Sequence, residues 1–211
     1  MALIKHAHAT AAGTSTPEAA PAPARDCSQL LQQLGHANAE TRRWAARDLL
    51  DCPDSAPALV QQLAVEQDAS VRDVIFTSLT RLGGSTAVAG LVQCMRSEDA
   101  ALRNEAIESM KQLPQAVAPI MRELLCDTDS DMRIFAVNIL ESLRHPDVEQ
   151  WLIEVIDRDT HVNVCATAVD LLGEVGSAAA LAPLQRLKQR FAPETYIQFA
   201  ANLAIKRISE D

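Results

Sequence analysis

Apolar residues return to one helical face of this chain about every thirty residues. Six segments begin at Thr41, Val71, Leu102, Met132, Val164 and Ile197, in steps of 30, 31, 30, 32 and 33 residues. Four positions on stand Ala45, Ile75, Ala106, Ala136, Ala168 and Ala201. Eight on stand Leu49, Leu79, Met110, Leu140, Leu172 and Ile205, and eleven on stand Cys52, Leu82, Leu113, Leu143, Val175 and Ile208. Offsets of 0, 4, 8 and 11 place one stripe along one side of a helix. A unit this short cannot bury its own stripe, so a period of this length implies a stacked array.

Between these six segments lies a second set of helical runs, bounded by Gly and Pro. The boundaries predict a lone helix at 27–34, stopped by Gly35, and then five A/B pairs. The A helices fall at about 39–51, 70–82, 100–112, 130–143 and 161–175. The B helices fall at about 56–65, 86–96, 116–126, 147–156 and 178–190. Gly83-Gly84, Pro114, His145-Pro146 and Gly176 punctuate the pairs. A last helix at about 194–208 has A-type spacing and no B partner after it. Lys206, Arg207, Glu210 and Asp211 give it a polar end. The reading is therefore all-α: an α-solenoid of about five helix pairs plus end-cap helices. It occupies residues 26–211, behind a flexible Ala/Pro-rich tail over 1–25. Within the tail, Leu3 and Ile4 beside Lys5, His6 and His8 form a candidate docking peptide, against the plainer reading of an unstructured terminus.

Composition narrows the function classes. The chain has 211 residues, 48% of them apolar, and a net charge of −9. That charge repels phosphate backbones, so no nucleic-acid partner is expected. No apolar run reaches 18 residues and no signal-peptide core is found, so no membrane association and a cytoplasmic location are expected. The five cysteines, at 27, 52, 94, 126 and 165, are odd in number, widely spaced and without a CxxC pair. They read as reduced thiols acting as small apolar residues, and neither a disulfide nor a metal ribbon is expected.

The clearest copy of the unit, DASVRDVIFTSLTRLGG from Asp68 to Gly84, resembles the HEAT repeat. The 30-residue period resembles its bacterial phycobilisome-lyase-like (E–Z type) subclass. Two ladders carry the resemblance. Asn38, Asp68, Asp99 and Asp129 stand where a helix begins, and a side-chain oxygen there accepts from first-turn amides, for about 1 kcal/mol. Arg42, Arg72, Arg103 and Arg133 follow four residues later. The family implies a structural ladder tying repeats together; the alternative is an anion-binding row. The family also holds enzymes that bind iron through His-Glu pairs. No His-Glu dipeptide occurs here, so that activity does not carry over. Phycobilin lyases share the repeat, but no matching catalytic residue is found, and no cofactor is expected.

In the fifth repeat the ladder breaks, with His161 in the Asp place and Cys165 in the Arg place. Their i, i+4 spacing makes them the one constellation with chemistry to offer, as a zinc half-site or an activated thiol, against ordinary repeat degeneration. Asp127-Thr-Asp129-Ser-Asp131 echoes a calcium loop but lacks its Gly and its Glu, so helix capping is the better reading. Acidic residues gather at the repeat junctions: Glu66, Asp68, Glu98, Asp99, Asp127, Asp129, Asp131, Asp157 and Asp159. Such an edge could attract a basic partner.

In related arrays the B helices line the concave face, which makes Gln61, Gln62, Arg96, Arg122, Glu123, Glu154, Arg186 and Gln189 candidate partner-binding residues. Trp151 aligns with core positions, Trp44 reads as partly exposed, and Tyr196 and Phe199 read as an end-cap contact. The function these features suggest is a non-catalytic, protein-binding scaffold or adaptor, monomeric or weakly oligomeric, with a helical or basic protein partner. The alternative is a lyase-type or cofactor-handling protein.

Overall fold

The computed structural model describes residues 26–210. The tail over 1–25, with its candidate docking peptide, and Asp211 of the polar end lie outside them. Among the described residues all regular structure is helical. An opening helix α1 (Cys27–Leu34) precedes A helices α2 (Ala39–Asp48), α4 (Ala69–Leu82), α6 (Ala100–Lys111), α9 (Ser130–Leu140) and α11 (Val162–Val175). The B elements are α3 (Ala56–Leu63), α5 (Gly84–Met95), α7 with α8 (Pro114–Val117 and Met121–Leu124), α10 (Val148–Arg158) and α12 (Leu181–Arg190). The closing helix is α13 (Thr195–Glu210). Successive A helices pack in order, α2 on α4, α4 on α6, α6 on α9, α9 on α11 and α11 on α13. The B elements form the second layer, α3 on α5, α5 on α7 and α10 on α12. This is an α-solenoid.

The apolar stripe explains the stack. Ala45, Ile75, Ala106, Ala136, Ala168 and Ala201 are all fully buried, and so are Leu49, Leu79, Met110 and Leu172. Burying each large side chain of this kind contributes about 1.5–3 kcal/mol. Small residues set the closest approaches. A Cβ on Gly90 of α5 would lie 2.3 Å from a Val60 methyl of α3, so only glycine lets those two helices meet. Gly83 turns the chain from α4 to α5 at φ +62°, a conformation that costs a residue with a Cβ. The stripe weakens at its fourth position: Val175, expected inside, is 47% exposed because it is the last residue of α11.

Two features differ from the sequence expectation. The third B helix, expected as one run over 116–126, is interrupted by a 3-10 turn over Ala118–Ile120. Pro119 lies in that turn; it has no amide to donate, and its ring clashes with the preceding helical turn. The second is redox chemistry. Cys27 and Cys52, expected reduced, form a disulfide with Cα atoms 5.8 Å apart. Cys27 opens α1, and Cys52 follows the 3-10 turn that ends the first A unit. Only the fold brings residues 25 apart into that contact. Of the remaining three cysteines, Cys94 and Cys165 are buried free thiols and Cys126 is exposed.

Candidate functional site

Along one edge of the stack the two ladders meet. Asn38, Asp68, Asp99 and Asp129 each cap the A helix that follows: Asn38 accepts from the Glu40 and Thr41 amides, and Asp68 from those of Ser70 and Val71. Asp99 accepts from the Ala101 and Leu102 amides and Asp129 from that of Asp131. The arginines reach two ways. Each donates to carbonyls of its own entry loop: Arg42 to His36 and Ala37, Arg72 to Glu66, Arg103 to Ser97 and Glu98, and Arg133 to Asp127 and Thr128. Three of them also reach a carboxylate of the next repeat. Arg42 makes two 2.7 Å bonds to Glu66, Arg72 donates to Asp99 at 2.8 Å, and Arg133 grips Asp159 at 2.6 and 3.0 Å.

Glu66 is the tightest node. Its side chain is 1% exposed. It also accepts from Gln62 Nε2 at 2.9 Å and from the Gln67 and Asp68 amides at 3.0 and 2.9 Å. The Arg42 bond holds its carboxyl at about 2, against the opposing effect of burial, with the Asp68 amide and Gln62 assisting. These arginines therefore have their donors engaged inside the chain.

The fifth repeat shows how the break in the ladder is filled. Cys165 Sγ is 3.3 Å from the Asp159 carbonyl, the place a ladder arginine would hold. Arg190, at the end of α12, supplies the guanidinium instead. It donates to Ile156 at 2.7 Å, Asp157 at 2.6 Å and Asp159 at 2.8 Å, and stands 3.5 Å from Cys165 Sγ. Burial pushes the Cys165 thiol up to about 11, although Arg190 pulls the other way. A thiol so held is protonated at neutral pH, which removes the basis for an activated nucleophile. His161 caps nothing through its side chain, and its Nδ1 is buried without a hydrogen-bond partner among the described residues. No cluster of three or more His, Cys, Asp or Glu side chains that could hold a metal occurs among the described residues.

The candidate partner-binding residues divide on the same grounds. Arg96 pairs with Asp127, Arg122 with Glu154 at 3.3 Å, and Arg186 with Asp157 at 2.8 Å, each across a repeat junction. Gln62 is spent on Glu66. Gln61, Glu123 and Gln189 stay exposed. The same pairs absorb the acidic edge: Glu66, Asp99, Asp127, Asp157 and Asp159 each face an arginine. The Arg96 bond leads in holding the Asp127 carboxyl below its usual range. A tie between repeats was expected of the ladder arginines alone; the junction pairs of Arg96, Arg122 and Arg186 were not visible in the sequence, since each joins residues about thirty apart.

Two concavities open on the B layer. An apolar groove of about 570 Å³ runs between α5 and α7–α8, along Val88, Ala89, Val92, Ala116, Pro119 and Ile120, with Glu123 at its rim. Three residues of the break, Pro119 and Ile120 in the turn and Ala116 before it, line this groove. A second pocket, about 360 Å³, lies between α8 and α10 and holds Cys126, Trp151, Arg158 and Thr160 beside the paired Arg122 and Arg133. Trp151 is buried as expected and stacks on His145 at 4.9 Å, but its Nε1 has no partner among the described residues. Trp44 is 46% exposed and shielded by its neighbours, with the Arg47 guanidinium 4.2 Å and that of Arg43 5.7 Å from its ring. Among the described residues no helix is long and apolar enough to cross a membrane.

Comparison with known proteins agrees with this architecture. The HEAT repeats family matches residues 27–111 and 117–206. The bilin biosynthesis protein PecE of Mastigocladus laminosus is 29% identical over 127 residues, 58% of this chain and 46% of PecE, so the chain aligns with about half the length of that relative. The archaeal HEAT-like repeats protein of Thermococcus onnurineus NA1 superposes with a TM-score of 0.50 at 16% identity, over 87% of each chain. The complex of CpcE and CpcF of phycocyanin lyase from Nostoc sp. PCC7120 matches at TM-score 0.38 and 17% identity, over 93% of this chain and 100% of the matched chain. With both halves of the stack matched and the ladders in place, the chain belongs to the HEAT-repeat family.

Proposed function

We propose that this protein is a non-catalytic scaffold that seats an apolar, helical segment of a protein partner against its B-helix layer. The observation that carries the reading is the groove between α5 and α7–α8, an apolar trough with a polar rim. Grooves of that kind take one face of an amphipathic helix. The cross-junction pairs argue against a basic partner as the main occupant, because most of the edge carboxylates are already neutralised. The test is a proximity cross-linking experiment in native cells with a photoreactive residue at Gln93. Ala89→Asp puts a charge into an exposed position of the groove. The cross-linked partner should disappear in that variant while the melting temperature holds. An unchanged cross-linked partner in Ala89→Asp would remove the groove from the reading.

A second reading is favoured by the α8–α10 pocket and by the similarity to PecE. There the Arg158 guanidinium makes no ion pair or hydrogen bond, and the Trp151 Nε1 lacks an acceptor, among the described residues. A bilin offers carboxylates to an arginine and polar ring atoms to an indole. Titration with free bilin, followed by absorbance, tests it. A saturable spectral change lost in Arg158→Ala supports bilin handling, and no change in the parent protein rejects it.

A further inference from the structure

The closing helix breaks the rule that the internal A helices obey. Five residues into the internal repeats stand Ala46, Phe76, Ile107, Val137 and Val169, all buried. The equivalent residue of α13 is Asn202, which is exposed. A polar side chain thus stands where the internal repeats bury an apolar one against the next repeat. The outward positions change in the opposite sense. One residue before the start, the internal repeats carry Glu40, Ser70, Ala101, Asp131 and Asn163, all exposed; α13 carries Tyr196. Six residues on, they carry Arg47, Thr77, Glu108, Asn138 and Asp170; α13 carries Leu203. Between these lies Phe199. Tyr196, Phe199 and Leu203 are 56%, 64% and 39% exposed, at i, i+3 and i+7 on one helical face. The helix behind them is firmly seated, with Ile197, Ala200, Ala201 and Ala204 buried and Ala204 close against Gly173 of α11. The end-cap contact expected of Tyr196 and Phe199 is thus limited to one bond, from the Tyr196 hydroxyl to Asp170 at 2.9 Å.

We infer that this stripe is the contact surface of a two-fold homodimer, in which α13 packs antiparallel against α13 of a second copy. The stripe is self-complementary in that arrangement. A two-fold axis near Ala201 sets Phe199 against Leu203 of the other copy, and Tyr196 against Lys206, whose ammonium favours the ring face. The second copy also fits the size of the patch. A helix of 16 residues is about 24 Å long, so two such faces reach only the lower end of specific interfaces, and the dimer is concentration-dependent. Charge adds a signature. Each copy carries a net charge of −9, so two copies repel one another and salt strengthens the pairing.

The test is sedimentation velocity on the full chain from low micromolar to about 0.5 mM, at low and high salt. The mass should rise with concentration from 22.9 kDa toward twice that value, at lower concentration in high salt. Phe199→Asp and, separately, Leu203→Lys should hold the monomer mass throughout with an unchanged melting temperature. A parent protein that stays monomeric over the whole range overturns the inference, and so does a dimer that both variants leave intact. Ala89→Asp should dimerise normally, which separates this surface from the groove.

Discussion

At the N-terminal end of the array, Arg42 projects from its own A helix, holds its own entry loop and grips the buried Glu66 of the next repeat. At the C-terminal end, one of the equivalent carbonyls, that of Asp159, is held by Arg190, which arrives from the B helix that follows and also takes the nearby Ile156 and Asp157 carbonyls. One end is also stapled by the Cys27–Cys52 disulfide and keeps its exposed Trp44 beneath two guanidinium groups. The other has no disulfide among the described residues and leaves Tyr196 and Phe199 uncovered. The two ends teach that a repeat needs a guanidinium at its junction, and that the chain position supplying it is free to change.

That comparison can be broken at several points. The largest effect is expected from reducing the disulfide. Freeing a loop of 25 residues costs about 3 kcal/mol through the entropy of the unfolded chain, and urea unfolding with and without reductant would measure it. Loss of the α1 end alone, with the rest of the melt unchanged, would show that the first unit unfolds separately. Glu66→Gln comes next, at about 2–3 kcal/mol, because it leaves Arg42 facing a neutral group at a buried node.

The acid limb of the pH profile reports the same node. Glu66 ionises at about 2 in the folded protein, below its ordinary 4.5, so its contribution is complete above about 4.5 and vanishes as the pH falls through about 2. In Glu66→Gln that part of the profile should flatten. Arg190→Ala should cost about 1–2 kcal/mol, since its three carbonyls sit at a partly solvated loop where water replaces some of the lost bonds. If Arg190→Ala were silent, the spatial replacement of the ladder would be wrong. The smallest effect concerns the thiols. With the disulfide intact, Cys126 should alkylate well before Cys165 at pH 7, read by peptide mapping, because Cys165 is buried and its thiol is pushed to about 11.

The repeat, the A helices and the helix caps were legible in the sequence because they depend on residues within one turn or one period of each other. Asn38, Asp68, Asp99 and Asp129 could be read as caps from position alone. The junction chemistry was not legible in the same way. Nothing adjacent to Arg190 marks it as the stand-in for a ladder arginine 25 positions earlier, and Arg96, Arg122 and Arg186 look like free surface charge until the stack sets Asp127, Glu154 and Asp157 against them. The disulfide was hidden for the same reason. The break in the third B helix had a local signal that was missed: Pro119 sits inside the run read as one helix, and it also lines the groove.

The reach of Arg190 also limits how the array can change in length. Repeats two to four carry their own arginine, so a copy inserted or removed among them keeps each junction closed. A copy inserted between α11 and α12 would carry Arg190 away from the carbonyls of Ile156, Asp157 and Asp159. Helices α10 to α12 therefore behave as one indivisible cassette, and a repeat is added or lost more easily before it than within it.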